Sequence, residues 1–282
     1  ALRHKVCAHH IFGIDLVCRD ETLPEAEYEI IFGEVSKRDI VEENKSDYGI
    51  GGYKVFTEGG YYGCCACIGA AGVGVMLQNA CMRSEHGVVL NFYLQGNIDT
   101  ATPSGKPLLL SIDTPYPYDG KVAVKLSLES EERFALTLRI PAWCRKADLT
   151  VNGEVYSTQN GYVTVTRIWK NGDTIVLTLD MTVERILPLV GAENENLYAA
   201  YRRGAIMLAS DRRISDPEAA HPIVCDKNEF VESRICDCSE IPDHELCVEL
   251  QQHGGTAVRL VDYASAGKTW DEDSKCAVWL YR

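Results

Sequence analysis

"NGYVTVTRIWKNGDTIVLTLDM", residues 160–181, reads as two strands with a break between them. In "GYVTVTRIW" and in "DTIVLTLDM" apolar and polar residues alternate, which is the two-residue period of a half-buried β-strand. Asn171-Gly172-Asp173 supplies turn residues between them, and Asn160-Gly161 marks a break just ahead. The same pattern extends in both directions. "GVVLNFYLQGN", "PLLLSIDTPYP", "KVAVKLSLES", "RFALTLRIPAW" and "ADLTVNGEVY" come before it, punctuated by Asp119-Gly120 and Asn152-Gly153. "LYAAYRRGAIMLAS", "LCVELQQHG", "AVRLVDYA" and "CAVWLYR" come after it. Short, regularly spaced strands of this kind predict antiparallel sandwiches or jelly rolls. Trp143 and Trp169 each end an alternating strand and are expected to be buried between sheets. Pro188-Leu189-Val190-Gly191, followed by the acidic "AENEN", is the break expected between two such domains.

Ahead of residue 86 the period is helical. "CAHHIFGIDLVC" places Ile11, Ile14 and Cys18 at helix-like spacing. "LPEAEYEIIFGEVSKRDIVEE" has Pro24 near its first turn and Tyr28, Ile31 and Val35 on one face. "CIGAAGVGVMLQNACM" reads as a small-residue helix. The organisation expected is therefore α+β but mainly β: a helical segment over 1–85, a first β-sandwich over 86–190 and a second over 191–282.

Composition narrows the function classes. A net charge of −13 argues against a nucleic-acid or anionic-membrane partner, since both need a basic footprint. The apolar runs fall far short of the roughly 20 residues that a membrane span requires. His9, His10 and Asp15 interrupt the first apolar run, which speaks against a signal peptide. Twelve cysteines spread over 282 residues do not make the short, cysteine-dense scaffold of a secreted domain, so a reducing, cytoplasmic setting is expected. Cys18, Cys81, Cys144 and Cys276 read as core filling. "ICDCSEIPDHELC" gathers Cys236, Cys238, Cys247 and His244, but lacks the paired C-x-x-C of a zinc ribbon.

"GGYYGCCACIGAAGVG", residues 59–74, concentrates Cys64, Cys65 and Cys67 between two glycine-rich stretches. The residues leave four readings open: a vicinal disulfide, a metal site, a nucleophile, or a redox or zinc-storage cluster. A thiol with a pKa near ~8.5 is mostly protonated at neutral pH, whereas a zinc-bound thiol is deprotonated.

The β region resembles the β-L-arabinofuranosidase family of glycoside hydrolases, family 127. "DTPYPYDGKVAVKL", "LTLRIPAWCRKADLTVNGE", "NGYVTVTRIWKNGDTIVLTLDM", "YRRGAIML" and "LVDYASAGKTWDEDSKCAVWLYR" follow the family's blocks in order. The resemblance implies that the helical segment is the end of an (α/α)6 barrel lying ahead of two β-sandwich, jelly-roll-like domains. It implies that Cys64 is the nucleophile attacking an anomeric carbon. It also implies a zinc ion bound by Cys7, Cys64 and Cys65, with Cys67, His9 or water completing the tetrahedron. Lys5 stands where the family has a glutamate ligand. The family's acid/base glutamate lies upstream of the position that Cys7 matches, so the chain is read as a fragment, or as one half of a split enzyme. The expected partners are a carbohydrate substrate, with a homodimer contact through a β-sandwich or a partner chain carrying the rest of the barrel. The alternative is a non-catalytic carbohydrate-binding or assembly module, with Tyr116, Tyr118, Trp143, Trp169 and Trp270 as candidate sugar-stacking faces.

Overall fold

A computed structural model of the chain describes residues 10–11, 14–15, 63–188, 196–242, 244–267 and 275–282, with side chains described from residue 71 onward. The chain divides into two units, one of residues 71–181 and the other of residues 182–282 together with the chain ahead of residue 71.

Where a helix is expected over the first cysteine-flanked stretch, β1 (His10–Ile11) pairs antiparallel with β2 (Ile14–Asp15), with Ile11 opposite Ile14. Gly13 lies between them, and a glycine weakens a helix interior. The rest of the stretch expected to be helical, up to residue 44, and the glycine-rich connection that follows it lie outside the described residues. Helix α1 (Gly63–Gln78) begins earlier than its apolar pattern suggests and also stops earlier. Asn79 ends it: both the backbone N–H and the side-chain amide of Asn79 donate to the Val75 carbonyl, at 3.1 and 2.7 Å. A side-chain donor of this kind caps the orphan carbonyls of a last turn. Cys81 and Met82, read as the helix tail, instead open β3 (Cys81–Ser84).

The first unit continues with β4 (Gly87–Leu90), β5 (Gly96–Ala101), β6 (Pro107–Asp113) and β7 (Lys121–Leu128). Then come β8 (Glu132–Ile140), β9 (Ala147–Val151), β10 (Glu154–Tyr156), β11 (Gly161–Trp169) and β12 (Thr174–Leu179). One sheet has the order β10-β9-β12-β7-β6-β5 and the other β11-β8-β4-β3. Alternation decides what each strand buries: Val122, Val124, Leu126 and Leu128 of β7 point inward, as do Phe134, Leu136, Leu138 and Ile140 of β8. Both sets belong to one core, as a sandwich requires. All pairings are antiparallel except β4 with β8, which is parallel. Gly87 sits in that pair, and a Cβ there would lie 1.7 Å from the Ala135 carbonyl oxygen, so any larger residue would drive the strands apart.

The turn motifs play two different roles. Asn152-Gly153, with φ of 51° and 85°, makes the tight β9–β10 hairpin that an Asn-Gly pair favours. Asn171-Gly172-Asp173 joins β11 to β12, which lie in different sheets, so it is a crossing and not a hairpin. Asp173 fixes the crossing. Its carboxylate accepts from the Lys170 N–H at 3.0 Å and from the Asn152 amide at 2.8 Å. Its carbonyl accepts from the Leu126 N–H at 2.9 Å. Asn152 in turn accepts from the Thr174 N–H at 2.9 Å, so the hairpin and the crossing lock together.

Trp169 ends β11 immediately before that crossing. It is fully buried, its ring lies 6.0 Å from that of Phe134, and its indole N–H donates to the Phe134 carbonyl at 3.0 Å. Trp143 differs from expectation: it is only half-buried against the core. Its position falls in the Pro141–Cys144 turn beyond β8, closed by the Cys144 N–H to the Pro141 carbonyl at 2.9 Å, and Cys144 takes the inward site.

The second unit holds β13 (Val183–Ile186), β14 (Tyr198–Arg203), β15 (Ile206–Asp211), β16 (Phe230–Val231) and β17 (Ser233–Cys236). It ends with β18 (Cys247–Gln251), β19 (Ala257–Asp262), β20 (Cys276–Ala277) and β21 (Leu280–Tyr281). "LYAAYRRGAIMLAS" turns out to be two strands, paired as a hairpin about Gly204, whose φ is +58°. The sheet runs β16-β13-β14-β15-β19-β18-β17, with β20 on β15 and β21 on β14. Its two ends, β16 and β17, are separated in sequence by Glu232 alone, so the sheet rolls into a near-barrel. Tyr201, Leu208, Val248 and Leu260 pack inside it.

Replacing Trp169 with Ala removes a fully buried ring and its hydrogen bond to the Phe134 carbonyl. Denaturant unfolding should report a loss of about 3–5 kcal/mol, and a loss below about 1 kcal/mol would mean that the ring is not the core element described.

Candidate functional site

The chemistry suggested by the sequence rests on Cys64, Cys65 and Cys7. Cys64 and Cys65 are the second and third residues of α1, and Cys67 lies in its first two turns. Cys7, Lys5, His9 and Cys18 lie outside the described residues. The first N–H groups of a helix have no partners within it, and its dipole favours negative charge there. A thiol at such an end ionises more readily than a free one. The first turn of α1 carries no carboxylate to oppose that effect.

The described cysteines behave in the opposite way. Burial is the main influence on Cys81, Cys144, Cys225, Cys238, Cys247 and Cys276, and all six thiols are pushed up. Cys276 reaches about 11, with the Asp211 carboxylate adding to the effect of burial. Cys144 is fully buried and donates to the Lys146 carbonyl at 3.0 Å. These thiols stay protonated at neutral pH, which suits packing and not attack on an anomeric carbon. Among the described residues no three His, Cys, Asp or Glu side chains converge on a metal position.

The expected sugar-stacking aromatics separate by burial. Trp169 is sealed in the core. Tyr116 is half-buried and packs edge-on against Tyr93, with centroids 6.1 Å apart. Tyr118 and Trp143 are partly accessible, and Trp270 lies outside the described residues. An aromatic patch not singled out from sequence lies on β14 and β21. The rings of Tyr198 and Tyr281 stack at 4.6 Å with their hydroxyls 2.8 Å apart, and Trp279 is 46% exposed. The signal was present in "AVWLYR", where Leu280 is buried between exposed Trp279 and Tyr281.

One fully buried charge has a structural role. The Asp211 carboxylate accepts from the Arg213 side chain at 2.8 and 2.9 Å and from the Gly267 N–H at 2.9 Å. Burial alone would raise its pKa, but the Arg213 and Gly267 hydrogen bonds outweigh it and hold the carboxyl below its usual range. A depressed pKa stabilises the fold above the unfolded value, and that contribution is lost as pH falls through the folded one. Asp211→Asn should therefore cost about 3 kcal/mol or more at pH 7, because it leaves Arg213 without its counter-charge. Thermal unfolding of both proteins from pH 7 down to pH 3 should show the gap shrinking below about pH 4. A gap independent of pH would contradict this role.

Among the described residues no helix is long and apolar enough to cross a membrane. Residues 87–181 match the family described as β-L-arabinofuranosidase, GH127 middle domain. No curated protein matches the chain. Among solved structures, a GH127 β-L-arabinofuranosidase from Geobacillus stearothermophilus T6 is 21% identical with a TM-score of 0.61, over 78% of this chain and 38% of that one. A second GH127 β-arabinofuranosidase is 19% identical with a TM-score of 0.63, over 77% and 38%. A third structure, titled only a glycoside hydrolase, is 23% identical with a TM-score of 0.59, over 82% and 43%. These likenesses establish a shared fold, and the chain spans about two fifths of the length of the structures it matches. Among the described residues α1 is the one α-helix, and no (α/α)6 barrel is seen there. Residues 87–181 match the GH127 middle-domain family, and the chain shares its fold with part of the solved glycoside hydrolases.

Proposed function

We propose that this chain is part of a retaining, cysteine-dependent glycoside hydrolase acting on β-L-arabinofuranosides or similar sugars. The supporting observation is positional. The Cys64-Cys65 pair opens α1, directly ahead of the segment that matches the GH127 middle domain. Cys64 is the nucleophile in this reading. Its thiolate bonds to the anomeric carbon as the bond from that carbon to the leaving oxygen breaks, and a carboxylic acid protonates the departing oxygen. Water, deprotonated by the same carboxylate, then displaces the sulfur, and two inversions give net retention. The carboxylate belongs to the barrel portion that this chain does not span, carried on the same polypeptide or on a partner chain.

Cys7, Cys64 and Cys65 are proposed to hold zinc. Thiolates are soft ligands suited to that ion, which would keep Cys64 deprotonated. Lys5, at the position of the family's glutamate, would favour thiolates by its charge but cannot ligate while protonated. A second reading, a carbohydrate-binding module, draws support from the exposed Trp279 beside the stacked Tyr198–Tyr281 pair.

Elemental analysis of the purified protein, together with the rate of Cys64 alkylation across pH, tests the nucleophile reading. The expected result is bound zinc and alkylation that stays fast well below the pKa of a free thiol. A metal-free protein whose Cys64 alkylates no faster than free cysteine would overturn it.

A further inference from the structure

Three thiols of the second unit, Cys236, Cys238 and Cys247, belong to one small apolar cluster with Ile241, Val261 and Ala266. Two of them face each other across a strand pair. Cys236 ends β17 and Cys247 opens β18, the register places them directly opposite, and their sulfurs lie 3.1 Å apart. A disulfide needs about 2.05 Å, so bonding requires the sulfurs to move by only about 1 Å, with a modest approach of the two strands toward the Cβ spacing that it demands. Cys238 is aimed elsewhere: its thiol faces the Glu240 carboxylate at 3.6 Å.

The location gives such a bond a consequence. Among the described residues β17 is the last strand on its sheet path and pairs with β18 alone. Ser233, Arg234 and Ile235 are exposed, so Cys236 is the first residue of β17 to be even half-buried. An edge strand with so little buried surface is the part of a rolled sheet most prone to open.

We propose that Cys236 and Cys247 form a reversible disulfide when the protein meets a low-molecular-weight disulfide oxidant, and that this bond fastens the β17 edge. Cys236 is accessible and reacts first. Its thiolate attacks one sulfur of the oxidant, the oxidant's S–S bond breaks, and one thiolate leaves. The Cys247 sulfur, only 1% exposed as a residue, then attacks the Cys236 sulfur of the mixed disulfide. The second thiolate leaves and takes the Cys247 proton. In balance, two protein thiols are oxidised by two electrons and one disulfide oxidant is reduced to two thiols.

The whole chain, treated with oxidised glutathione, provides the test. Digestion at glutamates cuts at Glu240 and Glu245, separating the peptide of Cys236 and Cys238 from that of Cys247. The two peptides should remain joined, short by two hydrogens, until a reducing thiol is added. Oxidation should raise the Tm by about 5 °C or more. Cys238→Ser should keep the link, and Cys236→Ser should abolish both the link and the Tm rise. Glutathione adducts without a link, a link that survives in Cys236→Ser, a link lost in Cys238→Ser, or a link that leaves Tm unchanged would each overturn the proposal.

Discussion

The placement of Trp169 sets the first unit's architecture. The ring is the last side chain that β11 sends into the core, and the next four residues carry the chain into the other sheet. Those four residues are held where they are because Asp173 bonds to Lys170, to Asn152 and to Leu126 at once. The indole can therefore fill the space beside Phe134 only if the crossing is made there, and the crossing aligns β12 between β7 and β9. Burial supplies the energy, and the Asp173 network supplies the register.

The second unit solves a related problem within its large sheet. That sheet rolls so that its two ends, β16 and β17, are joined through Glu232, which buries Tyr201 and Leu208 inside a curved wall. The weakness of this solution is concentrated at β17. The two units therefore differ in where they are strong, the first at the crossing in its middle and the second along the sheet's interior rows.

The strands were legible because alternation is local, and β6, β7, β8, β11 and β12 fall where their patterns place them. Which sheet each strand joins was not legible. Asn171-Gly172-Asp173 has the composition of a hairpin, and only the distant Asn152 and Leu126 make it a crossing. The Gly204 hairpin was missed because Arg203 and Ala205 on either side give no polar turn signal. Cys144 fills the core as expected, whereas Trp143 stays half-exposed because a turn, which has no two-residue period, decides which side chain points inward. For the candidate site, Cys64 and Cys65 stood out by clustering, but their meaning came from resemblance. Burial then set the other thiols apart, and no sequence pattern reports burial residue by residue.

In the proposed function, frame and glycosidase chemistry are separate. The described sheets hold buried thiols, paired charges and buried rings, whereas the candidates for the nucleophile lie at the start of α1. The most direct measurement of that separation uses an arabinofuranose carrying an electrophile at its anomeric position, followed by peptide mapping of all twelve cysteines. The account predicts a single label, on Cys64, suppressed by excess free arabinose. A label confined to cysteines of the β units, or no label on Cys64, would contradict it.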